Sequence, residues 1–365
     1  MLALLLVANV GATSTTWTQT YGGNDYDSVE SVIQTSDGGY ALTGRTRSFG
    51  SGSHELWIIK TDSLGNMEWN KTYGTGSSYA IVQNSDEGYT IAGSRLIKTD
   101  SEGNMQWNRS GGVTSMIQTS DGGYALAGYT NFVMGESADF WLVKTDEMGY
   151  RQWSRTYPRG AYDQAKSVIQ TKDGGYALTG FSRGSEEGGD YFLLIKTDPL
   201  GEMEWSKTYG SQDKDEGHVV VQTGDGGYLL AGLMWNRSGS GIAGTIKTDS
   251  QGSVEWTRNY QGGIVWSMTL TNDGGFIIGL DNVVIKTDPT GNMQWNATCI
   301  GRANSVIQTS DGGYAIAGTG TSDAFLSKLG PEEDIPEFPS CTILPLLIAL
   351  TLAVIIYKKR LWLNS

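Results

Sequence analysis

The stretch Ser31–Trp69, SVIQTSDGGYALTGRTRSFGSGSHELWIIKTDSLGNMEW, decides the fold, because it returns with changes along nearly all of the 365-residue chain. SVIQT is short, apolar and β-branched, which suits a strand. SDGG follows, and Asp-Gly supplies the positive φ angles that a tight hairpin turn needs. YALTG is a second strand. After a loop of variable length, LWIIKTD is a third, and its unbroken apolar run predicts cover on both faces. DSLGN is a second turn, with an Asp to bond its own backbone and a Gly for the strained position. MEWNKTYG is a fourth strand that alternates. Met67, Trp69, Lys71 and Tyr73 fall on one face and Glu68, Asn70 and Thr72 on the other, as in a half-exposed strand.

A four-stranded meander with two apolar faces cannot bury both alone, so it must stack on copies of itself. Repeats of about 40–50 residues with four strands each indicate propeller blades. The fourth-strand tryptophans are Trp17, Trp69, Trp107, Trp153, Trp205, Trp256 and Trp295. The hairpin aspartates are Asp37, Asp86, Asp121, Asp173, Asp225, Asp273 and Asp311, and the third strands end in Lys60, Lys98, Lys144, Lys196, Lys247, Lys286 and Lys328. The chain opens with a fourth strand, TTWTQTYG, and its last repeat, Ser305–Leu329, lacks one. The expected fold is therefore all-β, a seven-bladed β-propeller over residues 13–330 closed by the N-terminal strand, with few exposed strand edges.

The flanking segments suggest an address. Residues 1–12, MLALLLVANVGA, have the apolar run and small residues of a signal peptide, without its basic start. Residues 331–340 are acidic and Pro-rich, an extended linker. Residues 341–357 are apolar and uncharged, at the short end of the roughly 17–25 residues of a transmembrane helix. Lys358, Lys359 and Arg360 in the tail, residues 358–365, place the C-terminus in the cytoplasm and the propeller outside.

The net charge of −13 argues against nucleic acid as a partner. The two cysteines, Cys299 in a blade and Cys341 at the membrane edge, are not expected to pair. Each turn brings one carboxylate, too few for a calcium loop, so no metal site is expected and each Asp is read as fixing its hairpin. The two histidines, His54 and His218, lie in loops or at strand edges without the partners of a triad or a zinc site, so no catalytic residue is assigned. No cofactor is expected.

The turns after first and third strands share one face of such a ring, and the variable second-to-third loops share the other. A fixed scaffold carrying variable loops is how binding faces are built. The long loops Tyr129–Asp139, Phe181–Asp190 and Leu233–Ala243 belong to consecutive blades and form the expected ligand rim. Its candidates are the aromatics Phe132, Phe181 and Trp235 and the acids Glu136, Asp139, Glu186, Glu187 and Asp190. That mixture suits a cation-bridged glycan or a basic peptide, since an acidic rim repels anions. Asn70, Asn108, Asn236 and Asn296 head N-x-S/T sequons and are glycosylation candidates.

The pattern W-x-x-T-Y-G-G, D-G-G-Y, K-T-D-x-x-G-N-x-x-W resembles the repeats of surface β-propeller proteins of archaea and bacteria, from Trp17 to Gly330. The KTDSLGNMEW segment is also similar to the turns of quinoprotein-type propellers, but its spacing departs from theirs and no quinone-pocket residues are identifiable. The tail, with Pro336-Glu337-Phe338, an apolar run and KKR, resembles the archaeal PEF-type sorting signal. That resemblance implies an archaeal source and a membrane transpeptidase that exchanges the helix for another anchor. The sequence thus describes a cell-surface, membrane-tethered propeller acting in binding, adhesion or envelope structure, with a glycan or peptide as ligand. The alternative is an extracellular carbohydrate-active hydrolase or lyase working through loop carboxylates.

Overall fold

A computed structural model describes residues 15–130, 138–160, 162–183, 189–210, 214–235 and 240–331. The segments read from the sequence as an export signal, a membrane helix and a basic tail, and the tripeptide Pro336, Glu337 and Phe338, lie outside the described residues. Among the described residues every regular element is a strand, and no helix is long and apolar enough to cross a membrane.

The chain opens with β1 (Thr15–Tyr21). Four-stranded antiparallel units then follow in chain order. The first is β2 (Asp27–Gln34), β3 (Tyr40–Thr46), β4 (Glu55–Thr61) and β5 (Met67–Thr75). The second is β6 (Ser78–Gln83), β7 (Tyr89–Gly93), β8 (Arg95–Thr99) and β9 (Met105–Ser110). The third is β10 (Val113–Gln118), β11 (Tyr124–Tyr129), β12 (Phe140–Thr145) and β13 (Arg151–Tyr157). The fourth is β14 (Tyr162–Gln170), β15 (Tyr176–Arg183), β16 (Asp190–Thr197) and β17 (Met203–Tyr209). The fifth is β18 (Glu216–Gln222), β19 (Tyr228–Trp235), β20 (Gly241–Thr248) and β21 (Val254–Tyr260).

The last seven strands share one sheet, because β22 (Ser267–Leu270), β23 (Phe276–Gly279) and β24 (Asp281–Thr287) lead into the 16-residue β25 (Met293–Gln308). The first half of β25 pairs with β24, and its second half pairs with β26 (Tyr314–Thr319). It is therefore the outer strand of a sixth unit and the inner strand of a seventh. β26 pairs with β27 (Ala324–Leu329), and β27 pairs antiparallel with β1, Trp17 opposite Lys328. An apolar cluster fills the space between each unit and the next, seven in all. One of them joins Tyr21, Ala317 and Leu326 of the last unit to Val29, Tyr40 and Trp57 of the first. The third strand is covered on both faces, and all of β4 is buried.

The recurring letters of the repeat each hold something. In the hairpin turn Asp37 accepts from the Thr35 hydroxyl at 2.5 Å and the Gly39 amide at 2.9 Å. The buried Lys60 reaches over from β4 to the same carboxylate at 2.7 Å, and to Glu68 at 2.9 Å. All seven repeats keep this pair, down to Lys328–Asp311 at 2.9 Å. The turn aspartates fix hairpins, as read from the sequence.

The outer strand clasps the neighbouring unit. Trp153 meets Tyr176 of the next unit edge-on, ring centroids 5.8 Å apart. The Tyr157 hydroxyl donates to the Gly201 carbonyl at 2.7 Å. Gly201 has φ +77°, and a Cβ there would lie 2.6 Å from the Trp153 ring. Only glycine serves both the backbone and the indole. The same contacts recur at Trp17, Trp69 and Trp205, and at Trp256 with the indole stacked on Phe276 instead of edge-on to a tyrosine.

Trp153→Ala should cost about 3 kcal/mol, since it removes most of a large apolar contact between units. Denaturant unfolding measures it, and a loss below about 1 kcal/mol would show the clasp to be incidental. A second expectation concerns acid. Burial pushes Asp37, Asp121 and Asp173 up, but the lysine, threonine and glycine bonds outweigh it and hold each at about 2, against 3.8 unperturbed. Folded values below unfolded ones give stability that is present above about pH 4 and lost as pH falls toward 2. Melting temperatures should therefore drop over that window, and Asp121→Asn should flatten part of the drop.

Candidate functional site

The inner strands of the units share an irregularity. The register of β2, β6, β10, β14 and β18 shifts between Val29 and Ser31, Ser78 and Ala80, Val113 and Ser115, Ala165 and Ser167, and Gly217 and Val219. In β25 it shifts between Arg302 and Ser305. A bulge leaves a residue out of the ladder and re-aims its side chain. Those residues are Glu30, Tyr79, Thr114, Lys166, His218 and, in β25, Asn304. Trp266 holds the matching place just before β22. All seven line one cavity of about 500 Å³, to which Tyr129 and Gln164 also contribute.

The residues after the bulge serve the scaffold. The Ser305 hydroxyl accepts from the Val32 amide of the next unit at 3.2 Å, and Ser115 serves Val168 in the same way at 3.3 Å. The glutamine at the strand end accepts from a neighbouring hairpin, as Gln83 does from the Ser36 amide at 2.8 Å. In the repeat x-S-V-I-Q-T-x-D-G-G, fixed side chains are thus fixed by bonds. The first x carries seven different residues, aligned and facing inward. Two of these also brace the wall: Thr114 donates to the Ala165 carbonyl at 2.7 Å and Asn304 to the Val29 carbonyl at 2.7 Å.

The cavity is electrostatically mixed. Burial pushes the Lys166 ammonium down, partly offset by Glu216. Its Nζ lies 5.8 Å from the Phe181 ring centroid. The His218 hydrogen bond, at 3.4 Å, holds Glu216 below its ordinary value against burial. Burial raises Glu30, against Arg45, the Ser28 hydroxyl and Arg302. The Trp266 ring is flanked by His218, at 5.4 Å between centroids, and by the Arg302 guanidinium at 4.1 Å.

The residues expected on the loop rim are placed differently. Phe132, Glu136, Glu186, Glu187 and Asn236 lie outside the described residues. Phe181 is in β15 rather than in a loop. It is buried and stacked on Tyr162 at 6.0 Å, behind Lys166. Asp190 is buried in β16 and accepts from Arg183 at 2.8 Å. Trp235 ends β19, half-buried, with the Lys214 ammonium 5.5 Å from its ring. Asp139 is half-buried, and burial with the nearby Asp163 raises its carboxyl. Other acids of this face are occupied too: Asp27 accepts from Ser48 at 2.6 Å, and Asp215 from the Trp235 amide at 2.6 Å. His218 is an inner-strand residue of the cavity. Among the sequons Asn296 is exposed, Asn70 is half-buried and accepts from the Trp57 indole at 3.2 Å, and Asn108 is half-buried.

No family model and no curated protein matches the sequence. Solved structures do match. The WD40 β-propeller domain of Doa1 is 15% identical with a TM-score of 0.61, over 86% of this chain and 97% of that one. Sqt1 from Chaetomium thermophilum is 12% identical with a TM-score of 0.56, over 84% of this chain and 83% of that one. The Dos1 propeller is 12% identical with a TM-score of 0.55, over 83% of this chain and 78% of that one. At such identities the likeness is one of fold, and the fold is a β-propeller.

Tyr79→Ser and Lys166→Ser should leave the melting temperature within about 2 °C of the parent, because neither side chain braces the wall. Ser305→Ala should cost about 1 kcal/mol by leaving the Val32 amide without its acceptor. The reverse order of sensitivity would make the bulge residues part of the scaffold.

Proposed function

We propose that this chain is a cell-surface binding propeller whose partner docks at the cavity ringed by the bulge residues. The observation that carries the reading is the ring itself. Seven chemically different side chains occupy one repeat position beside letters that recur, and all seven face one cavity. A site that only closed the ring would favour one residue repeated. Variety at a fixed position is what a single asymmetric partner requires.

The wider setting belongs to the same proposal. The pairing of β1 with β27 holds a seven-bladed ring shut. The export signal over 1–12 and the apolar segment over 341–357 put that ring outside the cell, tethered to the membrane. The long loops Tyr129–Asp139, Phe181–Asp190 and Leu233–Ala243 give the partner its approach. Sqt1, a propeller of this fold, has been solved bound to the N-terminus of the ribosomal protein L10. We carry from it a peptide rather than a folded domain as the entering part of the partner.

Two measurements test the proposal. Full-length protein in detergent, screened against peptide and glycan arrays, should bind a ligand set that is lost when Tyr79, Lys166 and His218 are changed together to alanine. Unaltered binding by that variant would place the site elsewhere. Protease added outside intact cells should release the propeller, and a propeller protected until the cells are lysed would contradict the address.

A further inference from the structure

We propose that the cavity takes a carboxylate-bearing peptide segment, with Lys166 as its counter-ion. This rests on the cavity being the binding site and adds the chemistry of the ligand. The net charge of the chain is −13, which alone suggests a cationic partner. The cavity itself is less one-sided: its lining sets one lysine, Lys166, beside one glutamate, Glu30, and His218.

Lys166 lies on β14 and lines the cavity, half-buried, with no carboxylate in ion-pair reach among the described residues. Arg45 stands on β3 next to the strand that carries Glu30. Its guanidinium packs 5.6 Å from the Tyr26 ring centroid, and its buried Nε has no hydrogen-bond partner among the described residues. Arg302, over Trp266, makes a long contact of 3.6 Å to Asp281 and acts on Glu30. Two of the facing groups are already engaged: Glu216 by His218 at 3.4 Å, and Glu30 by the Ser28 hydroxyl at 3.3 Å. Asp190 is neutralised by Arg183 at 2.8 Å. Burial of the Lys166 ammonium is only partly offset by Glu216, and a ligand carboxylate in direct contact relieves the remaining cost.

Trp266 decides between a peptide and an acidic sugar. A sugar would need the face of the largest aromatic of the ring. That ring is flanked by Arg302 at 4.1 Å and His218 at 5.4 Å, and its indole N–H is given to Asp281 at 3.0 Å. What remains open is a polar wall with the amide of Gln164, which suits an extended backbone. Of the acids in the rim read from the sequence, Asp190 is already paired with Arg183 at 2.8 Å.

The test uses full-length protein in detergent and fluorescein-labelled hexaglutamate, hexaglutamine and hexalysine, with oligogalacturonate as competitor. Hexaglutamate should bind saturably and better than hexaglutamine. Lys166→Met should weaken it about tenfold or more, the scale of one lost charged hydrogen bond. Lys166→Arg should retain most of the affinity, and Lys207→Met, on an exposed outer-strand lysine, should change nothing. Affinity within about twofold after Lys166→Met, a preference for hexalysine, or tighter binding of oligogalacturonate would each overturn the proposal. If hexalysine is preferred and Tyr79→Ala or His218→Ala weakens it, the cavity is the site and only the carboxylate falls. If no ring variant alters the binding of any peptide, the cavity reading falls as well. A second measurement needs no variant. In mildly alkaline solution acetic anhydride should label Lys166 readily, and hexaglutamate should slow that labelling about tenfold, scaled as before. Labelling at an unchanged rate would also overturn it.

Discussion

An indole ring lying on a glycine joins neighbouring blades of this protein at Trp17, Trp69, Trp107, Trp153, Trp205 and Trp256. The tryptophan comes from the outer strand of one unit, the glycine from the last turn of the following unit. At Gly65, Gly103, Gly201, Gly252 and Gly291 a tyrosine hydroxyl from the same outer strand bonds the glycine's carbonyl. The clasp requires a positive φ and a missing Cβ at one position, so the turn sequence, the tryptophan spacing and the aromatic after D-G-G are fixed together. It also makes single units dependent on their neighbours, because each core cluster is shared between two sheets. Stability of this kind is a sum over junctions.

The second constraint is a buried cation. Each third strand ends in a lysine whose ammonium is folded back under the hairpin turn to an aspartate, and at Lys60, Lys144, Lys196, Lys247, Lys286 and Lys328 the neighbouring carbonyl receives it too. Lys286 is fully buried and bonded to Asp273 at 2.6 Å, to Gln294 at 2.9 Å and to the Thr287 carbonyl at 2.9 Å. Such a pair contributes more to specificity of the turn than to net stability, since desolvation offsets much of the attraction. With turns and junctions both held by repeated bonds, the inner-strand bulge is left as a place where side chains can differ without cost to the scaffold. The site follows from what the scaffold does not need.

Much of this was legible in the sequence, and the reasons are specific. Period, turn chemistry and strand count could be read because Asp-Gly, Gly-Asn and the outer-strand tryptophan recur at fixed offsets. The covered third strand was visible in LWIIK, and the role of the turn aspartates in their single carboxylates. The cavity was also visible in principle. Aligning the repeats on S-V-I-Q puts Glu30, Tyr79, Thr114, Lys166, His218, Trp266 and Asn304 in one column, beside a column that is serine in five repeats and alanine or valine at Ala80 and Val219. Reading loop length as the measure of variety passed over that column. Phe181 and Asp190 were assigned to a loop because nothing in FSRGSEEGGD marks how far the strands run. Backbone pairing carries both into the sheet, where Arg183 and Tyr162 engage them. The bulge itself has no sequence signature, since it arises from how an inner strand meets its neighbour.

The central claim is that the bulge residues, and not the repeated turns, touch the partner. A photoreactive benzophenone amino acid in place of Tyr79, which lines the cavity, tests it most directly in intact cells. The same amino acid in place of Tyr150, an exposed turn residue, is the control. The account predicts a cross-linked partner from position 79 and none from position 150. A cross-link formed from the turn and absent from the cavity would contradict it.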